Sequence, residues 1–344
     1  MDEQECDRND QRQHPSADDR HLEGSGRLLL NSSPRRIKMG RVTIFPVRFQ
    51  LECVPCVLNQ VLRAVEWAGV DAPPAVVKGV LDEVMQFLSR EDLLRLPAPV
   101  VGQFVYAAVN EGLGTRDAFA GVKRRQNEEA TRLLPSVERF VDSSPDRLRA
   151  ALVASIAGNS VDSGVPKRLD VEGAVKALGR ETLAVDHLDE LRSNLGDARS
   201  LLLVADNAGE IVFDKLLVEV LVEEFGPHRG RLREVAVAVR SGPIINDATM
   251  EDARSVSLTS TCRVVESSQS PGVILEQCGP EFRKLYQEAD VVLAKGQGNY
   301  EALSEPDERG GRPTYFLLKA KCKVMERVLG VPLDSLVLLK RPPA

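Results

Sequence analysis

The stretch LLLVADNAGEIVFD, residues 201–214, decides the reading of this chain. Residues 201–205 are apolar and uncharged, the pattern of a strand buried on both faces, as in a parallel sheet. Asp206 and Asn207 then bring two hard oxygen ligands to the strand's carboxyl end, and Gly209 permits a tight turn. Beyond it Ile211, Val212, Phe213, Leu216, Leu217, Val220 and Leu221 recur at helical spacing. Strand, polar turn and helix is the layout in which open α/β sheets place ligands, so this turn is the candidate site. The competing reading is a plain turn and helix cap, roles for which Asp and Asn are common.

Downstream, strand and helix patterns alternate to the end, as in a mostly parallel α/β sheet. A strand over 234–239 leads into RSGPIINDATMEDA, residues 240–253, and a short strand is expected at 262–265. A helix lies within 272–289, and a strand over 290–294 runs into KGQGNYEAL, residues 295–303. Strands over 314–318 and 336–339 flank a helix over 321–329. The charged, glycine-containing segment 305–312 is expected to be a mobile loop bordering the site.

Three strands therefore end in small polar turns, at Asp206–Asn207, at Asn246–Asp247 and at Lys295 through Asn299. In a parallel sheet those ends lie along one edge. Two carboxylates with amide oxygens suit Mg²⁺ or Mn²⁺, and the set is too poor in His and paired Cys for a typical catalytic zinc centre. A divalent ion held by few protein ligands keeps positions open for water and substrate oxygen, which suits phosphate ester chemistry. Lys295 and the N–H groups of Gly296 and Gly298 are expected to hold the remaining phosphate oxygens. Each residue also has a plainer reading. Asp247 suits the N-cap of a helix over 248–253, and a lone Lys295 suits a solvated surface charge. KGQGN matches neither the Walker pattern nor G-x-G-x-x-G, so it supports no nucleotide site.

Upstream of the opening stretch the pattern is helical. Leu51, Val54, Val57, Leu58, Val61, Leu62 and Val65 mark one amphipathic face, with Cys53 and Cys56 at its start as C-x-x-C. A helix N-terminus lowers a thiol's pKa, so this pair suits metal binding or a dithiol–disulfide cycle; two inert buried thiols are the plainer reading. Helices follow over 74–88, 91–96, 100–111, 117–140 and 145–157, the last ending in AGNSVDSG, residues 157–164. Further helices over 170–178 and 187–195 lead to the opening strand. Residues 1–40 are polar and charged, and read as a disordered extension. Met39, just before a strand-like segment at 42–45, is a second candidate start. The division expected is 1–40 extension, 41–165 helical domain with the C-x-x-C, and 166–344 α/β domain with the site.

With 344 residues, 43% hydrophobic and 28% charged, the chain is long enough for a large core or two domains. A net charge of −6 argues against general nucleic-acid affinity. No run of about 18 apolar residues suggests a membrane span, and the polar start lacks the apolar core of a signal peptide, so the expected compartment is the cytoplasm. Six cysteines over this length are too sparse for a disulfide framework.

DNAGEIVFD, SGPIIND and KGQGNYEAL, in that order, resemble the damage-control phosphatase family, also known as domain of unknown function 89, and within it the subfamily with an N-terminal C-x-x-C. ECVPC, VKRRQNEEA, AGNSVD, NDATMEDA and LLKAKC extend the resemblance over residues 51–339. It implies a three-layer α/β domain with a helical N-terminal domain, and a metal-dependent phosphatase of small phosphorylated metabolites such as sugar or cofactor phosphates. The implied metal ligands are Asp206, Asn207 and Asp247, for Mn²⁺, Mg²⁺, Co²⁺ or Ni²⁺. The family's GN-x-x-D motif corresponds to Gly158, Asn159 and Asp162, which makes Asn159 a phosphate contact and Asp162, with Asp206 and Asp247, a candidate catalytic acid. Lys295 and Asn299 bound the KG-x-GN turn, and Lys321 is a further phosphate-contact candidate. Attack by water is the favoured route, and attack by Asp206 to form an aspartyl phosphate is the alternative. The competing function is a non-enzymatic metabolite- or metal-binding regulator that uses Cys53 and Cys56 as a zinc or redox site. A doubly wound methyltransferase would need an early glycine-rich loop followed by a ribose-binding acid, and that pair is absent from the sequence.

Overall fold

The computed structural model describes residues 37–39, 42–44, 47–69, 71–90, 92–158, 176–305 and 309–341. The extension expected over 1–40, apart from 37–39, lies outside these residues, as do Asn159, Asp162 and most of the helix expected over 170–178. Residues 37–39, read with that extension, form a strand, β1 (Ile37–Met39), which pairs antiparallel with β2 (Val42–Ile44).

The main sheet contains β3 (Leu183–Asp186), β4 (Ser200–Val204), β5 (Glu234–Val239), β6 (Arg263–Glu266), β7 (Val291–Lys295), β8 (Thr314–Lys319) and β9 (Leu336–Lys340). Their order across the sheet is β3-β9-β8-β7-β4-β5-β6. β8, β7, β4, β5 and β6 run parallel; β9 is antiparallel to β8, and β3 is parallel to β9. The chain builds outward from β4 through β5 to β6, then returns to the other side of β4 with β7 and β8. β4 and β7 therefore flank the topological switch point, where such sheets bind ligands. Sequence reading missed β3, whose four residues carry too little apolar pattern to stand out beside a helix.

Alternate residues of the strands enter two separate cores. Leu201 and Leu203 pack with α4 (Ala120–Ser143), α5 (Arg147–Ala157), α6 (Leu188–Asp197) and α7 (Glu210–Phe225). Leu202 and Val204 face α9 (Pro280–Glu288), α10 (Gly296–Leu303) and α11 (Lys323–Leu329); the short α8 (Met250–Ser255) follows the β5 loop. Helix, sheet, helix is the three-layer arrangement expected. A third core joins α1 (Cys53–Ala68), α2 (Pro74–Leu88) and α3 (Ala98–Gly112) through Val57, Val61, Val84, Val105 and Val109.

The described residues form one compact unit. α4 and α5, read with the helical domain, bury Leu133, Val137, Leu148 and Leu152 in the same core as β4, so they act as a layer of the α/β part. The loop expected to be mobile is pinned at its far end. Arg309 is buried and donates to the carbonyls of Tyr286 at 2.6 Å and Ala289 at 2.5 Å, and to Thr314 Oγ1 at 2.8 Å. Among the described residues no helix is long and apolar enough to cross a membrane.

Candidate active site

Strand register assembles the site. Val204 pairs with Ala238 on β5 and with Ala294 on β7, so Asp206, Arg240 and Gly296 each stand two residues past a matched level. Two backbone hydrogen bonds then stitch the β4 and β5 loops together: Ala248 N–H donates to Asp206 O, and Ala208 N–H to Asn246 O, both at 2.8 Å. The result is a bridge between Asn207 and Asp247. Ile245, just before the Asn246–Asp247 pair, takes a left-handed φ of 44°, a conformation that costs a β-branched residue energy and that the surrounding pairing holds in place.

The plain capping readings do not apply. Thr249 and Asp252 form the capping box of α8, while Asp247 accepts from Arg240 Nε at 2.7 Å. The N-cap of α7 is Gly209, with no side-chain cap, so Asp206 and Asn207 are not its caps. Gly209 is instead held by Asn127, whose Oδ1 accepts the Gly209 N–H at 2.7 Å and whose Nδ2 donates to Asp252 at 2.9 Å.

Asp206, Asn207, Asp247 and Glu210 are all buried around this turn, with Arg240 beneath them. Arg240 Nη2 lies 3.8 Å from Asp206 Oδ1, and Nη1 donates to Asn299 Oδ1 at 3.1 Å. Burial, then the charges of Asp247 and Glu210, hold the Asp206 carboxyl well above the usual range, against the pull of Lys321 and Arg240. Burial also pushes Asp247 up to about 6, although Arg240 opposes it. Carboxylates crowded beyond their own cations gain stability from a further positive charge. Two carboxylates and an amide oxygen are the donors that a hard divalent ion takes, so the residues present fit such an ion. Among the described residues no group of three or more His, Cys, Asp or Glu side chains is gathered to hold a metal, so a third donor to such an ion would be the Asn207 amide.

The structure gives several expected phosphate contacts a different place. Lys295 is neither a surface charge nor open to a ligand: fully buried, it donates to Ser155 O at 3.0 Å, Glu210 Oε2 at 3.1 Å and Asp214 Oδ1 at 2.7 Å. Three donors are all an ammonium has, so none is left here for phosphate. Burial opposes its charge, and Asp214 and Glu210 more than restore it. Gly296 has a steric reason to be glycine: its φ is +80°, and a Cβ there would lie 1.9 Å from Asp206 Oδ2. A Cβ on Gly298 would lie 1.8 Å from Pro271 O. Asn299 staples the turn, donating to Ala205 O at 3.1 Å and Lys295 O at 2.7 Å and accepting from Arg240 and Val273. Lys321 is exposed, and its charge is felt by both Asp206 and Asp247.

Sequence reading passed over Arg240, Glu210, Asp214 and Ser155 as site residues. A signal existed for Arg240, a lone cation following an apolar strand. None existed for Ser155 or Asp214, whose 2.6 Å hydrogen bond joins separate helices. A cavity of about 540 Å³ opens beside Lys123, Asn127 and Asp252, and neither Asp206, Asn207 nor Asp247 lines it.

Cys53 is half-buried and Cys56 exposed, both at the start of α1. Against the expectation of lowered values, desolvation raises both thiols, and the charges of Cys322 and Glu301 add to it. A raised pKa is the mark of a poorly reactive thiol.

An open α/β sheet with buried carboxylate and amide side chains gathered at its switch point is the class that this fold and site define. The damage-control phosphatase ARMT1-like domain model matches residues 49–337, and the chain belongs to that family. It is 31% identical to a damage-control phosphatase of Pyrococcus horikoshii over 298 residues, 86% of this chain and 98% of that protein. It is also 31% identical to a damage-control phosphatase of Archaeoglobus fulgidus over 291 residues, 83% and 96% of the two chains. An uncharacterised protein of Methanocaldococcus jannaschii is 31% identical over 303 residues, 86% and 96% of the two. The crystal structure of a Pyrococcus horikoshii protein of the family of unknown function 89 superposes with a TM-score of 0.76, covering 86% of this chain and all of that one at 31% identity.

Proposed function

We propose that this protein is a metal-dependent phosphatase of small phosphorylated metabolites. The observation that carries the reading is the meeting of Asp206, Asn207 and Asp247, all buried, at the switch-point edge, in a chain of the damage-control phosphatase family. Asp206, Asn207 and Asp247 would hold Mn²⁺, Mg²⁺, Co²⁺ or Ni²⁺, which when bound supplies Lewis acidity toward the phosphoryl oxygen and a water of lowered pKa. The remaining chemistry belongs to the chain. Arg240 fixes Asp247 by one carboxylate oxygen and leaves the other for a ligand or a proton. Lys321, exposed at the site, draws in the phosphate dianion and offsets its charge. A water attacks phosphorus in line, the ester oxygen leaves with a proton as the free hydroxyl, and inorganic phosphate remains. Asp247 orients this water by accepting a hydrogen bond from it, and the water's proton ends on the leaving ester oxygen. The hydrogen bond from Asn207 Nδ2 to Asp206 Oδ2 at 2.9 Å and the packing of that carboxylate against Gly296 support water over Asp206 as the nucleophile.

The test is phosphate release from a panel of sugar, nucleotide and cofactor phosphates, with wild type beside Asp247→Ala. Release from some members of the panel, absent in the variant, supports the reading. Binding of these compounds without release by wild type under any metal would favour the regulator.

A further inference from the structure

Asn207 carries one side-chain oxygen and one NH₂ group, and only the oxygen can bind a cation. Its orientation is therefore a condition of the metal site, on which this inference rests. Both Nδ2 hydrogens are used inward, one toward Asp206 Oδ2 at 2.9 Å and one toward Glu210 Oε1 at 2.7 Å. That leaves Oδ1 on the opposite side of the amide. Glu210 is itself held: its other oxygen accepts from Lys295 at 3.1 Å, Lys295 also donates to Asp214 at 2.7 Å, and Asp214 accepts from Ser155 Oγ at 2.6 Å. All of these side chains are buried, so water cannot substitute for a missing partner.

The geometry points to Glu210 as the positioning residue of the metal site, an obligate acceptor that fixes the Asn207 amide with its oxygen toward the cation. Lys295 serves this arrangement by fixing Glu210. The role needs a carboxylate. A glutamine at this position must turn its oxygen to the Lys295 ammonium, since two donors cannot face each other, and so presents NH₂ to residue 207. Asn207 then flips to accept from it and aims its own NH₂ at the metal. An aspartate at 207 has no such ambiguity: it accepts from the glutamine and keeps an oxygen for the ion.

The experiment is a Mn²⁺ binding isotherm on chelator-stripped protein, read from the free-ion paramagnetic resonance signal, for wild type, Glu210→Gln and Asn207→Asp/Glu210→Gln. Glu210→Gln weakens Mn²⁺ binding on the order of 10–100-fold, the usual scale for loss of a group that orients a ligand. The double variant returns to within about threefold of wild type, a coupling that a merely structural role does not produce. Undiminished affinity in Glu210→Gln overturns the inference alone, as does a folded double variant that binds no more tightly than Glu210→Gln. No Mn²⁺ uptake by wild type overturns the metal site and this inference together.

Discussion

Arg240 Nε donates to Asp247 Oδ2 at 2.7 Å with both side chains buried, so the cation that follows β5 holds the acid seven residues further along the same loop. Removing one member of a buried ion pair leaves the other uncompensated, at a cost of about 3–5 kcal/mol. Arg240→Met is expected to lower stability by that amount in urea unfolding of the stripped protein, and Mn²⁺ to recover part of it by supplying the missing charge. A loss under about 1 kcal/mol would mean that Asp247 is solvated without Arg240.

Gly296 is where backbone and chemistry compete for space. Gly296→Ala must move the Asp206 carboxylate and strain a φ of +80°, so it is expected to cost about 1–3 kcal/mol and most of the phosphatase activity. A methyl group added at Gly196, in α6, would meet nothing within 4 Å. Its replacement by alanine is expected to be neutral or to stabilise by roughly 0.5–1 kcal/mol, with activity unchanged. Thermal melts beside turnover rates separate the two; equal effects would contradict the steric account.

Two lysines of the expected phosphate site divide into different roles. Lys321→Ala, an exposed change, is expected to raise KM several-fold and flatten its salt dependence while lowering the melting temperature far less than Lys295→Met does. Lys295→Met strands Glu210 and Asp214 in the core and is expected to cost about 3–5 kcal/mol. If instead Lys295→Met folds normally and loses only substrate affinity, Lys295 contacts phosphate after all.

Glu301 gives the stability a pH dependence away from the proposed metal site. Burial pushes its carboxyl up to about 7, with the Gln297 amide pulling it back, from an ordinary 4.5. A raised acid pKa means that the native state holds the proton more tightly than the unfolded chain does. The contribution is therefore full below the unfolded value and is lost as pH rises through 7. Relative to wild type, Glu301→Gln should gain melting temperature at pH 8 and little at pH 4.5. Parallel curves across that range would rule the assignment out.

The parts of this molecule legible in its sequence are those set by local pattern. The apolar run 201–205 and the strands over 234–239 and 290–294 were visible because burial on both faces excludes charge, and the polar residues that end them were visible by contrast. That placed Asp206, Asn207 and Asp247 on one edge. Contacts between elements were not legible. Glu210, Asp214 and Lys295 look like surface residues of a helix or turn, and only the packing of α5 and α7 reveals them as one buried network. The reversed direction of β9 depends on which neighbour it joins, and Arg309 is pinned by carbonyls from another part of the chain. Cys53 and Cys56 show the limit from the other side: a helix start argued for low thiol pKa values, and burial, with the charges of Cys322 and Glu301 adding to it, raises them instead.

The most direct test of the central claim is hydrolysis of p-nitrophenyl phosphate by chelator-stripped protein as Mn²⁺ is titrated in, for wild type beside Asp206→Ala. No turnover is expected without metal, a saturable return with Mn²⁺ in wild type, and none at any Mn²⁺ concentration in the variant while its circular dichroism is retained. Turnover by stripped wild type, or metal-dependent turnover by Asp206→Ala, would contradict it.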